Sequence, residues 1–240
     1  MNTKSYLIPL LALGSIFVAH AQVKMTYAVQ YKGTMRAMFE KNQIVGKYAV
    51  KPLLAKPHLY ALGQLDKLMG EIMVWDGKLF VSKVNGDVVE TTTPKDAKAV
   101  FLVWSYVSQW RELTIPNEVK TYKQLEMFVA QKAVQAGHDT SKPFPFLLKG
   151  TVAEGDFHVI NLAPDGTPHT REKHDAAKAH FPLENAAVNI LGFYSTKHKG
   201  IFTHHTSNMH LHVVTADGEK MGHLDDLVPG ATLRLYLPKL

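Results

Sequence analysis

Three histidines close together in the sequence raise the first chemical question. The stretch "MHLHVVTADGEKMGHLDD" at 209–226 carries His210, His212 and His223. Imidazole is a common ligand for zinc, copper, iron and nickel. "HLHVV" has the β-branched, apolar character of a strand, and residues two apart in a strand share a face. His210 and His212 therefore point one way, while Leu211 and Val213 point the other, towards a core. "TADGEK" follows, and Asp217-Gly218 has the composition of a tight hairpin turn. With those two residues central, Thr215 faces Lys220 and His212 faces His223. Directly opposed residues share a face, with Cβ atoms about 4.5–5.5 Å apart. A single hairpin then gathers three imidazoles. Three histidines without a fourth protein ligand leave coordination positions open, the pattern of a catalytic rather than a structural zinc. The competing reading is of ordinary exposed histidines, since the chain has 13 in all. A longer loop would also shift the register and turn His223 away. His198, His204 and His205 lie just upstream and read as loop residues, or as donors behind the ligands.

The chain that must position these residues has 240 residues. Lys4 precedes the apolar run "YLIPLLALGSIFVA", which ends in "AHA" before Gln22. That is the layout of a secretory signal peptide, so residues 1–21 are expected to be removed and the protein exported, periplasmic or secreted. An uncleaved anchor is the competing reading. No later segment approaches the roughly 20 apolar residues that a membrane span needs. There is no cysteine. An exported chain without disulfides is held by packing, and thiolates drop out as ligands and nucleophiles. A site must use His, Asp, Glu or Lys. The formal charge is +6, of which Lys4 accounts for one, leaving about +5 after signal removal. The basic residues are scattered and form no arginine-rich stripe, so nucleic acid is not an expected partner.

The surrounding elements read as strands in blocks with few helices. "KMTYAVQYKG" is a candidate strand, and "TMRAMFEKN" a short helix capped by Thr34. "EIMVWDGKLFVSKVNGDVVETTT" at 71–93 predicts a three-strand meander turning at Asp76-Gly77 and Asn85-Gly86. "AVFLVW" at 99–104 is a further strand. "TYKQLEMFVAQKAVQAG" is the best helix, with a capping box from Thr121 and Gln124, apolar Leu125, Phe128 and Val129, and Gly137 as its stop. "FPFLLKGTVAEGDFHVINL" reads as strand–turn–strand, and "TREKHDAAKAHF" as a short helix. "AAVNILGFYS", "MHLHVV", "KMGHL" and "ATLRLYLP" complete a strand-rich C-terminal part. The expected class is α+β, with mostly antiparallel or mixed sheets in two halves. These are an N-terminal half at about 22–140 and a metal-binding half at about 141–240.

The histidine block, preceded by "ILGFYS", resembles the C-terminal block of bacterial alpha-acetolactate decarboxylases, in which an H-x-H strand, a turn and a G-H-x-x-D segment follow one another. "LYALGQLDKLMGEIMVWDGKLF" is similar to a second block of that family, in the same order and spacing. Weaker similarity runs from about residue 26 to 237. The resemblance implies zinc on His210, His212 and His223, an active-site glutamate at Glu71, and a homodimer. It implies decarboxylation of 2-acetolactate to acetoin, a small oxo/hydroxy acid being the substrate. On its residues alone, Glu71 reads as a solvated acid at the start of an edge strand. Three departures stand beside these likenesses. Gln64 occupies the place of a family threonine. Val159 to Asn161 occupy the place of a family arginine, with Arg171 or Lys149 as substitutes. The family chain also continues past the counterpart of Pro238 to another glutamate, whereas this sequence ends at Leu240. Two alternatives stay open, a metalloenzyme acting on another oxo or hydroxy acid and a non-catalytic metal- or ligand-binding protein. A cupin also carries H-x-H on a strand, but its following glutamate would be Glu219, within the turn, and that reading is set aside.

Overall fold

Hairpin chemistry builds the first sheet. Six of its strands are β1 (Gln30–Lys32), β3 (Leu59–Leu65), β4 (Glu71–Trp75), β5 (Lys78–Asn85), β6 (Val88–Thr92) and β7 (Lys98–Tyr106), in the antiparallel order β1-β7-β3-β4-β5-β6. A short β2 (Tyr48–Ala49) also pairs with β7. This computed structural model describes residues 26–240, so the expected signal peptide lies outside the described residues. Trp75 opposes Lys78, and the two residues between them, Asp76 (φ 47°) and Gly77 (φ 82°), take the positive φ values that a type I′ turn requires. The next turn differs by one residue from expectation. Asn85 pairs with Val88, so Gly86 and Asp87 are central, and the positive φ of 60° falls on Gly86, the first of them, as in a type II′ turn. Asn85 is retained in the strand, where its side-chain amide donates to Glu90 Oε1 at 2.8 Å.

The second sheet consists of β8 (Trp110–Thr114), β9 (Phe144–Ile160), β10 (Lys178–Tyr194), β11 (Met209–Thr215), β12 (Met221–Pro229) and β13 (Arg234–Pro238), in the order β10-β11-β12-β9-β13-β8. β10 pairs with β9 as well as with β11, so β9, β10, β11 and β12 close a ring. Closure gives each of these four strands two partners within the ring and leaves β8, paired only with β13, as the edge among the described residues. Two expectations are corrected here. The segment 144–160 is one strand of 17 residues rather than strand–turn–strand, with Gly150 and Gly155 inside it. The helix expected over 170–181 ends early. α3 (Arg171–Ala176) is capped by Thr170, and from Lys178 onwards the chain is strand. The reason is shared: β9 and β10 pair along their lengths, from Lys178 opposite Ile160 to Tyr194 opposite Phe144. That long-range ladder overrides the helical propensity of "DAAKAH" and the turn-forming look of "AEGD".

Two helices behave as the sequence predicts. α1 (Met35–Glu40) is capped by Thr34, whose hydroxyl accepts from Ala37 N–H. α2 (Tyr122–Gln135) begins on a complete Thr121/Gln124 capping box and buries Leu125, Phe128, Val129 and Ala133. β8 is a strand that the sequence pattern does not predict. The main core runs through both layers. Leu62, Met73, Phe101 and Val103 of the first sheet and Phe193 of the second lie on the faces that carry Glu71 and the histidines, while Phe146, Phe157 and Leu211 fill the other face of the second sheet. Each such side chain contributes roughly 1.5–3 kcal/mol of burial. The alternate residues of the first sheet, among them Ile72 and Val74, form a smaller cluster on its other face. Strand period two thus serves two cores at once. The class is α+β, mostly antiparallel strands in two sheets with a few short helices. Among the described residues, no helix is long and apolar enough to cross a membrane.

Candidate metal centre

The β11–β12 hairpin sets His212 directly opposite His223, with Val213 opposite Gly222 and Val214 opposite Met221. The register is the expected one, although the turn is not. Gly218 N–H donates to Thr215 O at 2.8 Å, so the tight turn centres on Ala216 and Asp217 within a loop of residues 216–219, closed by Thr215 N–H to Lys220 O at 2.9 Å. A loop lengthened equally on both sides of the same midpoint leaves every opposed pair unchanged. Asp217 Oδ1 accepts from Glu219 N–H at 2.9 Å, the local bond that makes Asp a turn residue.

The three histidines are not surface residues. His210 is 3% exposed and His212 1%, and His223 is half-buried. One nitrogen from each lies within 4.8 Å of the others, a spacing that could hold a metal ion. His210 Nδ1–H donates to Phe202 O at 2.6 Å, which fixes the ring and turns Nε2 towards the cluster. There Nε2 faces His223 Nδ1 at 3.0 Å. His212 Nε2 lies 3.8 Å from Glu71 Oε2, and its Nδ1 has no hydrogen-bond partner among the described residues. Burial holds all three imidazoles well below the usual histidine range, His210 at about 3. They are therefore neutral, the form in which imidazole binds a metal.

Glu71, the first residue of β4, is only 1% exposed, so it is not a solvated edge acid. Gly70 precedes it with φ of 133°, and a Cβ there would lie 2.1 Å from Ser82 O, so only glycine lets β4 begin at this point. Gln64 directly opposes Glu71 across β3 and β4. Its Nε2 donates to Glu71 Oε1 at 3.0 Å and to Gly70 O at 2.7 Å, and Ile160 N–H donates to the same Oε1 at 3.3 Å. Burial pushes the Glu71 carboxyl up to about 8, with the two hydrogen bonds pulling the other way. Gln64, noted in the sequence as a departure, thus orients the acid.

Pairing of distant strands adds residues that no sequence motif singles out. His223 also opposes His158 on β9, and His158 opposes His180 on β10. Four histidines therefore form one row across four strands, with ring centroids 4.7 Å apart for His158 and His223. Asp225 Oδ2 accepts from His158 Nδ1 at 2.6 Å, and Asp156 Oδ2 accepts from His180 Nδ1 at 2.6 Å. Asp156, His180 and Asp225 make a second group with metal-like spacing, more exposed, in which Asp156 already accepts from His180 and Asp225 from His158. No local signal marks these residues. They meet only through the β9–β10 and β9–β12 registers.

Of the upstream histidines, His198 is held by Ser195 Oγ at 2.7 Å and stacks on Phe202, while His204 lies 6.5 Å from His223 between ring centroids. Phe202 is fully buried and anchors the loop that presents its carbonyl to His210. Glu126 of α2 ties down the end of that loop, accepting from Asn208 Nδ2 at 2.6 Å and from Ser207 Oγ at 3.3 Å. Glu126→Ala leaves these half-buried donors without their charged partner, which costs about 2 kcal/mol. The expected fall in melting temperature is about 4–8 °C. A thermal melt unchanged within a degree would show that Glu126 does not hold the loop.

The place of the expected arginine, Val159 to Asn161, holds no cation: Val159 and Ile160 are fully buried and Asn161 is exposed. Lys149 is no substitute, because its ammonium lies over Tyr236 and Trp75 at the far end of β9. Arg171 is closer, with its guanidinium 4.7 Å from the Phe39 ring at the wall of a cavity of about 640 Å³. Lys178, opposite Ile160, lines that cavity and also a chamber of about 20 Å³ bounded by Gln64, His158, His210 and His223. The small chamber has room for about one water-sized particle.

Two facing antiparallel sheets, with a histidine hairpin and a buried carboxylic acid between them, define an α+β enzyme of the decarboxylase class. The chain belongs to the alpha-acetolactate decarboxylase family, whose model matches residues 25–237. It is similar in fold to the crystal structure of alpha-acetolactate decarboxylase from Bacillus subtilis strain 168, at 16% identity and a TM-score of 0.73 over 89% of this chain and 86% of that one. A Bacillus subtilis subspecies spizizenii acetolactate decarboxylase matches at 16% identity and a TM-score of 0.71, over 89% of this chain and 87% of that one. A Staphylococcus aureus protein of unknown function, described as similar to alpha-acetolactate decarboxylase, matches at 16% identity and a TM-score of 0.68, over 89% and 86%. A comparison with curated proteins finds no match.

Proposed function

We propose that this protein decarboxylates 2-acetolactate (2-hydroxy-2-methyl-3-oxobutanoate) to acetoin and CO2. In this reading His210, His212 and His223 hold Zn2+ and Glu71 handles the proton. The observation that carries the reading is the convergence of three neutral imidazoles from one hairpin beside a buried carboxylic acid. The donor set suits zinc, and equally nickel or iron, since imidazole alone does not choose among them. Loss of CO2 from a 3-oxo acid leaves an enolate-like anion that must be stabilised and then protonated. A bound divalent metal supplies Lewis-acid stabilisation of that developing charge. The chain's own residues do the rest. His210 is oriented by Phe202 O and cannot swing away. Glu71 Oε1 is occupied by the Gln64 and Ile160 donors, so Oε2, the oxygen nearer His212, is the atom that carries the proton or meets a substrate oxygen. The packed sheets exclude bulk water from both, which strengthens each electrostatic contact. Export through the leading segment and a homodimeric state belong to the same proposal.

One observation favours a second reading, a related metalloenzyme acting on a different oxo or hydroxy acid. Val159 and Ile160 are apolar and buried where the family resemblance implies a substrate-binding arginine. Incubation of the purified mature protein with racemic 2-acetolactate separates the two. Acetoin accumulation supports the first reading. Bound metal at about one ion per chain without acetoin supports the second.

A further inference from the structure

The cavity of about 640 Å³ beside the histidine cluster is lined by four cations, Arg36, Arg171, Lys178 and Lys199, and by two carboxylates, Glu40 and Asp175. Both carboxylates are already engaged, Glu40 with Arg36 at 3.8 Å and Asp175 with Lys178 at 2.8 Å. Among the described residues, no carboxylate lies within ion-pair distance of Arg171, whose guanidinium rests against the Phe39 ring. His174 on the same wall is held neutral by burial, at about 3, so the positive charge there belongs to the lysines and arginines. Of these cations only Lys178 also lines the small chamber that His210 and His223 bound. It stands opposite Ile160, whose N–H holds Glu71. An ammonium has three donors, and the bond to Asp175 leaves two for an incoming anion.

We propose that Lys178 is the anion-binding residue of this site and that it fixes the carboxylate of a small oxo or hydroxy acid. The acid arrives through a cavity whose arginines and Lys199 draw anions inward. The proposal rests on the reading that the histidine cluster is the reaction centre. It makes Lys178 a determinant of substrate charge, and it explains how an acid is recognised at a site without an arginine at 159–161, the end of β9 and the residue after it. A lined cationic cleft focuses the field and raises the local concentration of an anionic ligand. A charge-assisted hydrogen bond from Lys178 then sets its orientation.

The test is calorimetric titration of the metal-loaded mature protein with 2-hydroxy-2-methylpropanoate, an unreactive hydroxy acid, and with acetoin, which lacks the carboxylate. Lys178→Gln is expected to weaken the acid by about tenfold or more while leaving acetoin binding and metal content unchanged. Lys178→Arg is expected to stay within a few-fold of wild type for the acid. Arg171→Gln is expected to weaken the acid less than Lys178→Gln does, and only at low salt. Wild-type acid affinity in Lys178→Gln would overturn the proposal, as would equal losses of acid and acetoin, or no acid binding by the wild type at millimolar concentration. The failures of the two readings differ. Lys178-dependent binding of the acid with no acetoin from acetolactate sinks only the decarboxylase reading. Acetoin production with an unchanged KM in Lys178→Gln sinks only this one.

Discussion

His212→Ala is expected to strip the protein of its metal and abolish turnover. His212 is 1% exposed, shares the inner face of β11 with His210, and is the hairpin partner of His223. Removing it takes one of the three proposed ligands and leaves a pair that cannot enclose an ion. Partners behind a metal ligand are commonly worth 10–100-fold in metal affinity or activity, and the loss of a ligand itself should exceed that. Elemental analysis after dialysis should find about one divalent ion per wild-type chain and essentially none in the variant. The fold should persist, because the main core of Phe146, Phe157, Phe193 and Leu211 is untouched. A variant that keeps full metal content would remove His212 from the ligand set.

Glu71→Gln is expected to separate binding from chemistry. Gln is nearly isosteric and can still present an oxygen to the Gln64 amide and to Ile160 N–H. What it lacks is a proton to give and a charge to gain. Proton transfer by a positioned side chain is typically worth about 10²–10⁴-fold in rate, and kcat should fall within that range while metal content stays near wild type. Stability should hold or rise slightly, since the buried carboxyl is costly to ionise. A kcat within threefold of wild type would remove Glu71 from the chemistry and leave it a structural acid.

How much of this was legible beforehand depended on distance along the chain. The His212–His223 pairing is local: strand period and turn composition predict it, and the register is the predicted one although the turn centres on Ala216 and Asp217. The Thr121/Gln124 capping box and the Asp76-Gly77 turn are local in the same way. The β9–β10 ladder is not. Its pairing of Lys178 with Ile160 cannot be inferred from either segment, and without it the short helix after Thr170 and a turn near Gly155 were reasonable expectations. The same gap hid His158, which reaches His223 only through the β9–β12 register. Glu71 was visible by resemblance, but its burial came from the second sheet packing over β4 and from Gln64 across β3. Residues that one hairpin brings together can be read from sequence. A wall assembled from four strands requires the registers between them.

The most direct test of the central claim, that a metal held by this hairpin drives decarboxylation, is acetoin formation from racemic 2-acetolactate by one preparation in three states. These are the protein as purified, after chelation and dialysis, and after return of one equivalent of Zn2+. The account predicts acetoin in the first state, a rate near background in the second and recovery in the third, with no recovery in His212→Ala. Acetoin formation that survives complete removal of metal, or a fully metallated protein that forms none, would contradict it.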